Sequence, residues 1–479
     1  MIALIILVVF GLLTMFAGFS KSRILTKSLA ILGLGAALFG ACYEVFLINY
    51  HIDVPFLIAF QYRLNTMMYF NHFSVGFSIA MIFAGLMIAI ISQYPSKKNY
   101  PWNEFYPLIF FSLIGGICMV SYAHLLMLFL GIEILSIPLY VLAASDKENL
   151  SSNEAGLKYF LMGSFATGIL LFGIALVYGA VGHLEINSIQ AFLTSTPITA
   201  TPNIFWVGMV MMIIGMFFKI SAVPFHFWSP DVYQGSPNIV TMFMATVVKT
   251  AAFGAFIVLM KVYFNEGAAP MYWKNLFIGI AVITLFVSNI SAIYQSSVKR
   301  MLAYSSISQV GYLLMVLISP MVFYHAAAVS VFYLVSYAAA TIILFSGMIL
   351  VSEASDDYSF SAYNGLGQKK PMLAAFMTIA MISLAGIPLT AGFFGKYFII
   401  TSILHSNIEL VFVILANSAI SIYYYFRLIN AMYFQPANEF EKENISFPFS
   451  FQFAMIIALC IIIGFALMPI DVIQAFLPK

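Results

Sequence analysis

The chain has 479 residues, of which 63% are hydrophobic and 8% charged, with a formal net charge of +2. Soluble proteins carry about 25% charged residues, so this composition excludes a water-facing globule. The near-neutral balance excludes nucleic acid as a main partner, because no basic stripe is available to neutralise phosphates. An all-α integral membrane protein facing the lipid bilayer is what remains. Cys42, Cys118 and Cys460 all sit in apolar runs without zinc, iron–sulfur or disulfide spacing. They read as small buried hydrophobes, which leaves any redox centre to other chains.

The first apolar run, Met1-Ile2-Ala3-Leu4-Ile5-Ile6, has no positive region before it, unlike a secretory signal. Cations follow it instead, at Lys21, Arg23 and Lys27, which places this loop in the cytoplasm and the N-terminus outside. A helix needs about 20 apolar residues to cross lipid, and runs of that kind give about 14 spans. They are expected at 2–19, 28–48, 72–93, 106–122, 124–144, 155–180, 204–225, 237–262, 275–294, 301–318, 322–351, 371–402, 408–433 and 450–469. The split between the fourth and fifth rests on Ser121-Tyr122-Ala123-His124. Alternating loops gather Lys21, Arg23, Lys27, Lys97, Lys98, Lys147, Lys299, Arg300, Lys369, Lys370 and Lys442 on one side. Arg63, Lys261, Lys274 and Lys479 remain on the other, so both termini are expected outside.

Two spans carry the same kind of interruption. One reads Phe218-Lys219-Ile220-Ser221-Ala222-Val223-Pro224-Phe225-His226, the other Ser383-Leu384-Ala385-Gly386-Ile387-Pro388 and on to Gly395-Lys396. Proline removes a backbone bond and kinks a helix. Matching interruptions in two halves point to an internal repeat with an ion site at each break.

Six charged residues read as lying within spans: Glu133, Lys158, Lys219, Lys249, Lys396 and Arg427. An ionised residue at the helix centre costs about 2.5–3.5 kcal/mol on insertion scales, so such groups face the interior and mark ion paths. Glu133 reads as the one acid at depth, with a lysine as its partner. A lysine in apolar surroundings loses its proton more readily, and an approaching carboxylate restores it. Movement of a few ångströms therefore switches the amine. Lys219 is the expected switch, Lys249 the acceptor from it, and Lys396 the terminal element. Lys158, near a helix end, reads equally as a relay or as a side chain snorkelling to the interface. Always charged, Arg427 is expected to be structural. His226 reads equally as a proton feed or as a satisfied loop histidine. Gly115, Gly116, Gly163 and Gly168 are expected to permit close helix contact, and Tyr423-Tyr424-Tyr425 to pack. No nucleotide-binding glycine loop, GxSxG or HExxH is present.

Several stretches resemble the antiporter-like subunits of respiratory complex I, most closely the N type of bacterial NADH–quinone oxidoreductase. They include Gly131-Ile132-Glu133-Ile134-Leu135-Ser136-Ile137-Pro138-Leu139-Tyr140, Glu154-Ala155-Gly156-Leu157-Lys158-Tyr159-Phe160 and Phe218 onward to Tyr233. Lys299-Arg300-Met301-Leu302-Ala303-Tyr304-Ser305-Ser306 and the second break complete the set, and the resemblance covers nearly the whole chain. It implies two inverted five-helix repeats, each with a broken helix. The corresponding division is 1–105 for three N-terminal spans, 106–262 and 263–433 for the repeats, and 434–479 for a last loop and span. By the same resemblance Glu133 is the pairing glutamate, Lys219 and Lys396 the broken-helix lysines, and Lys249 the connecting lysine. Gln309 departs from a common histidine, which weakens a proton role there.

The resemblance further implies a proton-translocating subunit in the bacterial inner membrane, part of a hetero-oligomer. Its partner subunits would hold FMN and iron–sulfur clusters and bind quinone, with no cofactor in this chain. A lysine rather than a glutamate in the second break, and the absence of a long lateral helix after the last span, point away from the two sister subunits. Core subunits of multi-subunit sodium/proton antiporters share these features and are the alternative. Ferredoxin-dependent photosynthetic relatives also resemble the chain.

Overall fold

Lipid offers no partner to a peptide group, so a chain immersed in it closes its hydrogen bonds within helices. The computed structural model describes residues 1–20, 22–50, 52, 54–64, 66–92, 100–196, 200–263, 271–319, 323–436 and 446–477. Among them no strand forms; the only bridges join Met68 to Tyr122, His124 to Glu185 and Ser297 to Ser359 in loops. Lys21, Lys97, Lys98, Lys442 and Lys479, used in the charge count, lie outside the described residues.

The chain opens with α1 (Ile2–Gly18), α2 (Arg23–Asn49), the short α3 (Pro55–Leu64) and α4 (His72–Ile91). A first series follows: α5 (Trp102–Ser121), α6 (Leu125–Ala143), α7 (Leu150–Val181), the short α8 (Ile186–Ser195), α9 (Asn203–Ile220), α10 (Trp228–Gly235), α11 (Asn238–Phe243) and α12 (Lys249–Tyr263). Met244–Val248 joins the last two as a π-helical turn. The second series holds α13 (Met271–Ile293), α14 (Val298–Ile318), α15 (Phe323–Ser355), the short α16 (Leu366–Lys369), α17 (Pro371–Ala385), α18 (Ala391–Ile403) and α19 (Ile408–Phe434). The chain closes with α20 (Phe449–Leu467) and α21 (Pro469–Ala475).

Among the described residues 12 helices are long and apolar enough to cross a membrane, and three shorter apolar helices, α1, α17 and α18, accompany them. The polar interval 122–124 separates α5 from α6, where the sequence placed a break. The short helices α3, α8, α10 and α21 escape a search for long apolar runs because none has the length to cross.

The two series follow one order: a helix pair, a long helix of 32 or 33 residues (α7, α15), an interrupted helix and a closing helix. Hydrogen-bonded ends explain the register. Asn71 and Ser74 form a reciprocal capping box on α4, and the Asn149 side chain accepts from Ser151 N at the start of α7. α15 runs through the middle, buried from Ala326 to Ser352 and packed on α4, α17, α18 and α20. Outer faces carry exposed apolar side chains such as Phe39, Phe165 and Phe412, as a lipid-facing surface requires.

Small residues set the closest approaches. A Cβ on Gly115 would lie 2.3 Å from Leu135 N, so α5 and α6 touch backbone to backbone. Gly163 similarly admits the Tyr140 side chain, but Gly168 meets nothing within 4 Å and serves no contact. Cys118 is buried as expected, whereas Cys42 and Cys460 are exposed on apolar outer faces. Glu44, 6% exposed, is a buried acid that pairs with the Met1 amine at 2.7 Å inside the α1–α2 hairpin. The sequence pattern gave Glu44 no partner to suggest, since its counter-charge is not a side chain.

Gly115→Ala should therefore cost about 1–3 kcal/mol, the range for overpacking a filled interface, while Gly168→Ala, in open space within α7, should stabilise by about 0.5–1 kcal/mol. Thermal unfolding of the two variants in mild detergent reads the difference directly.

Candidate functional site

The site begins where the two interrupted helices stop. α9 ends on Ser221 in a left-handed conformation, φ 64°, which costs a non-glycine residue about 1–2 kcal/mol. α17 ends on Gly386 at φ 81°, where no side chain opposes the turn. Both interruptions free backbone groups at membrane depth, and the surrounding protein takes them up. Trp228 Nε1 donates to Phe218 O across the first gap at 3.0 Å, and Val223 N donates to Thr284 Oγ1 of α13 at 3.1 Å. In the second, Gly392 N donates to Ser383 Oγ at 3.2 Å.

Each gap holds a buried lysine. Lys219, 3% exposed, donates to Ser136 Oγ of α6 at 2.7 Å and lies 5.9 Å from the centre of the Tyr140 ring. Lys396 donates to Ala385 O at 2.9 Å and Ser418 Oγ at 3.0 Å, with its ammonium 4.6 Å from the Tyr312 ring centre. The third, Lys249, follows the π-helical turn and donates to Ser306 O of α14. All three are held by neutral oxygens, and among the described residues none forms an ion pair with a carboxylate.

Glu133 stands apart from direct contact. It is half-buried on the outward stripe of α6, among the exposed Leu126, Leu130, Ile137 and Val141. The contact with Lys219 expected of it is made instead by Ser136, one turn further along α6. Lys158 lies elsewhere again: it pairs with Glu154 at 2.7 Å and Asp231 at 3.1 Å at the mouth of an open cavity. Arg300 holds the same carboxylate at 2.9 Å. Partial burial pushes the Asp231 carboxyl up, but the two cations outweigh it and hold the group below its ordinary value.

His226 is buried against Phe227, ring centres 4.4 Å apart, and its Nδ1 has no hydrogen-bond partner. Arg427 donates to Ile293 O and Gln295 O at the C-terminal end of α13 and covers the Phe360 ring, a capping role. Among the described residues no group of three His, Cys, Asp or Glu side chains could hold a metal ion.

The helix that unites the centre is α14. Its Ser306 carbonyl takes Lys249, its Ser306 hydroxyl takes Tyr337, its Gln309 takes the Tyr333 hydroxyl, and its Tyr312 ring faces Lys396. Six residues separate Ser306 from Tyr312, about 9 Å along the axis. Beside it, Tyr424 donates to Asn289 Oδ1 at 2.9 Å and Asn289 donates to Asn417 Oδ1 at 3.1 Å. Reading only the charged residues overlooked this polar framework; serines, tyrosines and asparagines inside apolar runs are its signal. Lys299, grouped in the sequence with the cations of the loops, lies in the first turn of α14 and is 2% exposed.

A family model described as NADH:quinone oxidoreductase/Mrp antiporter, TM, matches residues 123–421, the stretch that holds Lys219, Lys249, Lys396 and the whole of α14. The chain belongs to that family. A Cytophaga hutchinsonii protein named NADH-quinone oxidoreductase subunit N is 44% identical over 370 residues, 77% of this chain and 79% of the relative. A chain in a structure of respiratory complex I from Thermus thermophilus with bound aureothin matches with TM-score 0.80 and 30% identity, covering 100% of both chains. A chain of the Mrp complex from a Dietzia species shares the fold, TM-score 0.84 at 15% identity, covering 99% of this chain and 95% of that one. The antiporter-like fold of the family is thus what positions the three lysines.

The Asp231 network has a pH signature. A carboxyl held below its ordinary pKa stabilises the fold at neutral pH, and the contribution disappears as pH falls through about 4 and below. Thermal unfolding followed from pH 6 downward should therefore decline more steeply in wild type than in Asp231→Asn.

Proposed function

We propose that this chain is the N-type membrane-arm subunit of a NADH–quinone oxidoreductase and moves protons across the membrane through Lys219, Lys249 and Lys396. The observation that carries the reading is the set of three buried lysines held only by neutral oxygens. A permanently charged ammonium in apolar surroundings calls for a counter-ion, whereas an amine that alternates between charged and neutral needs acceptors it can leave. Serine hydroxyls and helix-end carbonyls suit the second case.

In this reading the redox reaction takes place in partner subunits that hold FMN and iron–sulfur clusters and bind quinone. Charge displacement along the membrane arm reaches Glu133, which faces outward from α6 and is placed to feel a neighbouring chain. When its field on Lys219 changes, the proton passes toward Lys249 and along the α14 face to Lys396. His226 and Lys158 stand on the uptake side. The two series 106–262 and 263–433 are read as inverted repeats, supported by their common helix order and by the two interruptions. They are flanked by 1–105 and 434–479. The loop charge bias supports a topology with both termini outside the bacterial inner membrane.

The decisive experiment purifies a tagged copy in mild detergent and identifies its companions. Peripheral subunits with flavin and iron–sulfur absorbance and NADH–quinone activity support the proposal. A set of small membrane proteins without a redox centre supports the Mrp-type antiporter, the second branch of the family.

Within the assembled complex, Lys219→Met should lower proton translocation about tenfold, equivalent to about 1.4 kcal/mol in the barrier. Glu133→Gln should act in the same direction but less severely, since it removes a field and not a carrier. Proton yield per NADH in reconstituted vesicles measures both, and an unchanged yield in Lys219→Met would sink the mechanism.

A further inference from the structure

On the face we assign to the cytoplasm, α7, α10, α14 and α15 enclose a cavity of about 680 Å³. Its rim carries the carboxylates Asp146, Glu154, Asp231, Glu353 and Asp356 against the cations Lys158 and Arg300. Among the described lining residues five carboxylates stand against three cations, Lys299 included, and a cleft with an excess of one sign concentrates counter-ions. At its floor lies Lys299, nearly sealed from solvent. Its Nζ donates to Ser236 O, at the end of α10, at 2.6 Å, and lies 5.1 Å from the Tyr358 ring centre.

The floor is polar and incompletely satisfied. Asn238 donates to Ser352 Oγ and Tyr358 Oη, each at 3.2 Å, yet the buried Ser236 Oγ and Asn238 Oδ1 have no partner. Buried polar atoms of that kind are ordinarily satisfied by water. Lys299 and Ser306, whose carbonyl holds Lys249, are seven residues apart on α14 and so share one face, about 10 Å apart along the axis.

The geometry points to Lys299 as the proton-loading residue of this chain, taking protons from the rim cavity and delivering them to Lys249. The inference rests on the proton-conducting reading above. The step balances simply: the neutral Lys299 amine accepts a proton from cavity water, and the resulting ammonium passes one to the neutral Lys249 amine through intervening water. Lys299 returns to its starting state. Arg300, always charged, fixes Asp231 at the rim and does not enter the relay.

The test reconstitutes the assembled complex in liposomes and measures protons moved per NADH and their pH profile. Arginine keeps the charge that holds the Ser236 carbonyl but does not release a proton. Histidine exchanges one near pH 6.5. Lys299→Met and Lys299→Arg should both lower coupled turnover about tenfold or more, the scale of a lost proton relay. Lys299→His should work near pH 6 and fail by about pH 8, where the imidazole is neutral. Wild-type turnover in Lys299→Arg, or a flat profile in Lys299→His, overturns the inference. Should these variants fail to assemble on a native gel, Asn238→Leu removes the polar floor without touching Lys299, and normal turnover there overturns it equally. Lys219→Met, run in parallel, separates the two claims. Loss there with an intact Lys299→Arg defeats only the loading role, whereas a normal yield in Lys219→Met defeats the conducting reading itself.

Discussion

A lysine buried in a membrane must be held by something, and what holds it decides what it can do. Lys219, Lys249 and Lys396 are held by a serine hydroxyl, a helix carbonyl, and a hydroxyl with a helix-end carbonyl. A carboxylate in contact would lock the charge in place, because breaking a buried pair costs several kcal/mol. Neutral oxygens satisfy the ammonium with less electrostatic depth, so the same site tolerates the neutral amine. Most of the central architecture follows from supplying those oxygens where lipid would otherwise be.

The interrupted helices are one source. Ending α9 and α17 inside the bundle exposes carbonyls that an unbroken helix would have used, and Ala385 O goes to Lys396. The cost is visible in the left-handed Ser221 and Gly386. The π-helical turn before Lys249 is a third departure from regular helix beside a buried lysine, as such turns often are at functional sites. α14 is the second source. Its polar face gathers Ser306, Gln309 and Tyr312 in contact with groups from α12, α15 and α18. The helix is thereby in contact with both Lys249 and Lys396.

Much of this was legible without coordinates. The apolar runs gave the helices; the prolines and glycines gave the interruptions; the isolated charges gave Lys219, Lys249 and Lys396. Less was legible where partners come from distant segments. Ser136 replaced Glu133 as the contact of Lys219, a choice that one turn of rotation on α6 decides. Lys158 and Lys299 show the same dependence on distant partners. The first sits at an open rim with Glu154 and Asp231, whereas the second, in the first turn of α14, lies nearly sealed beneath α10 and beside Tyr358.

The division has a physical cause. Composition and periodicity are one-dimensional, and in lipid they suffice, because each helix closes its own backbone bonds before it meets another. The sequence by itself therefore determined a polytopic helical membrane protein, its two interruptions and its ionisable centres. Which face of each helix turns inward depends on packing between segments far apart in the chain, through contacts such as Gly115 against Leu135. Only the tertiary structure decided which oxygen each lysine finds, that Glu133 faces outward, and that Lys299 lies beneath a charged cavity.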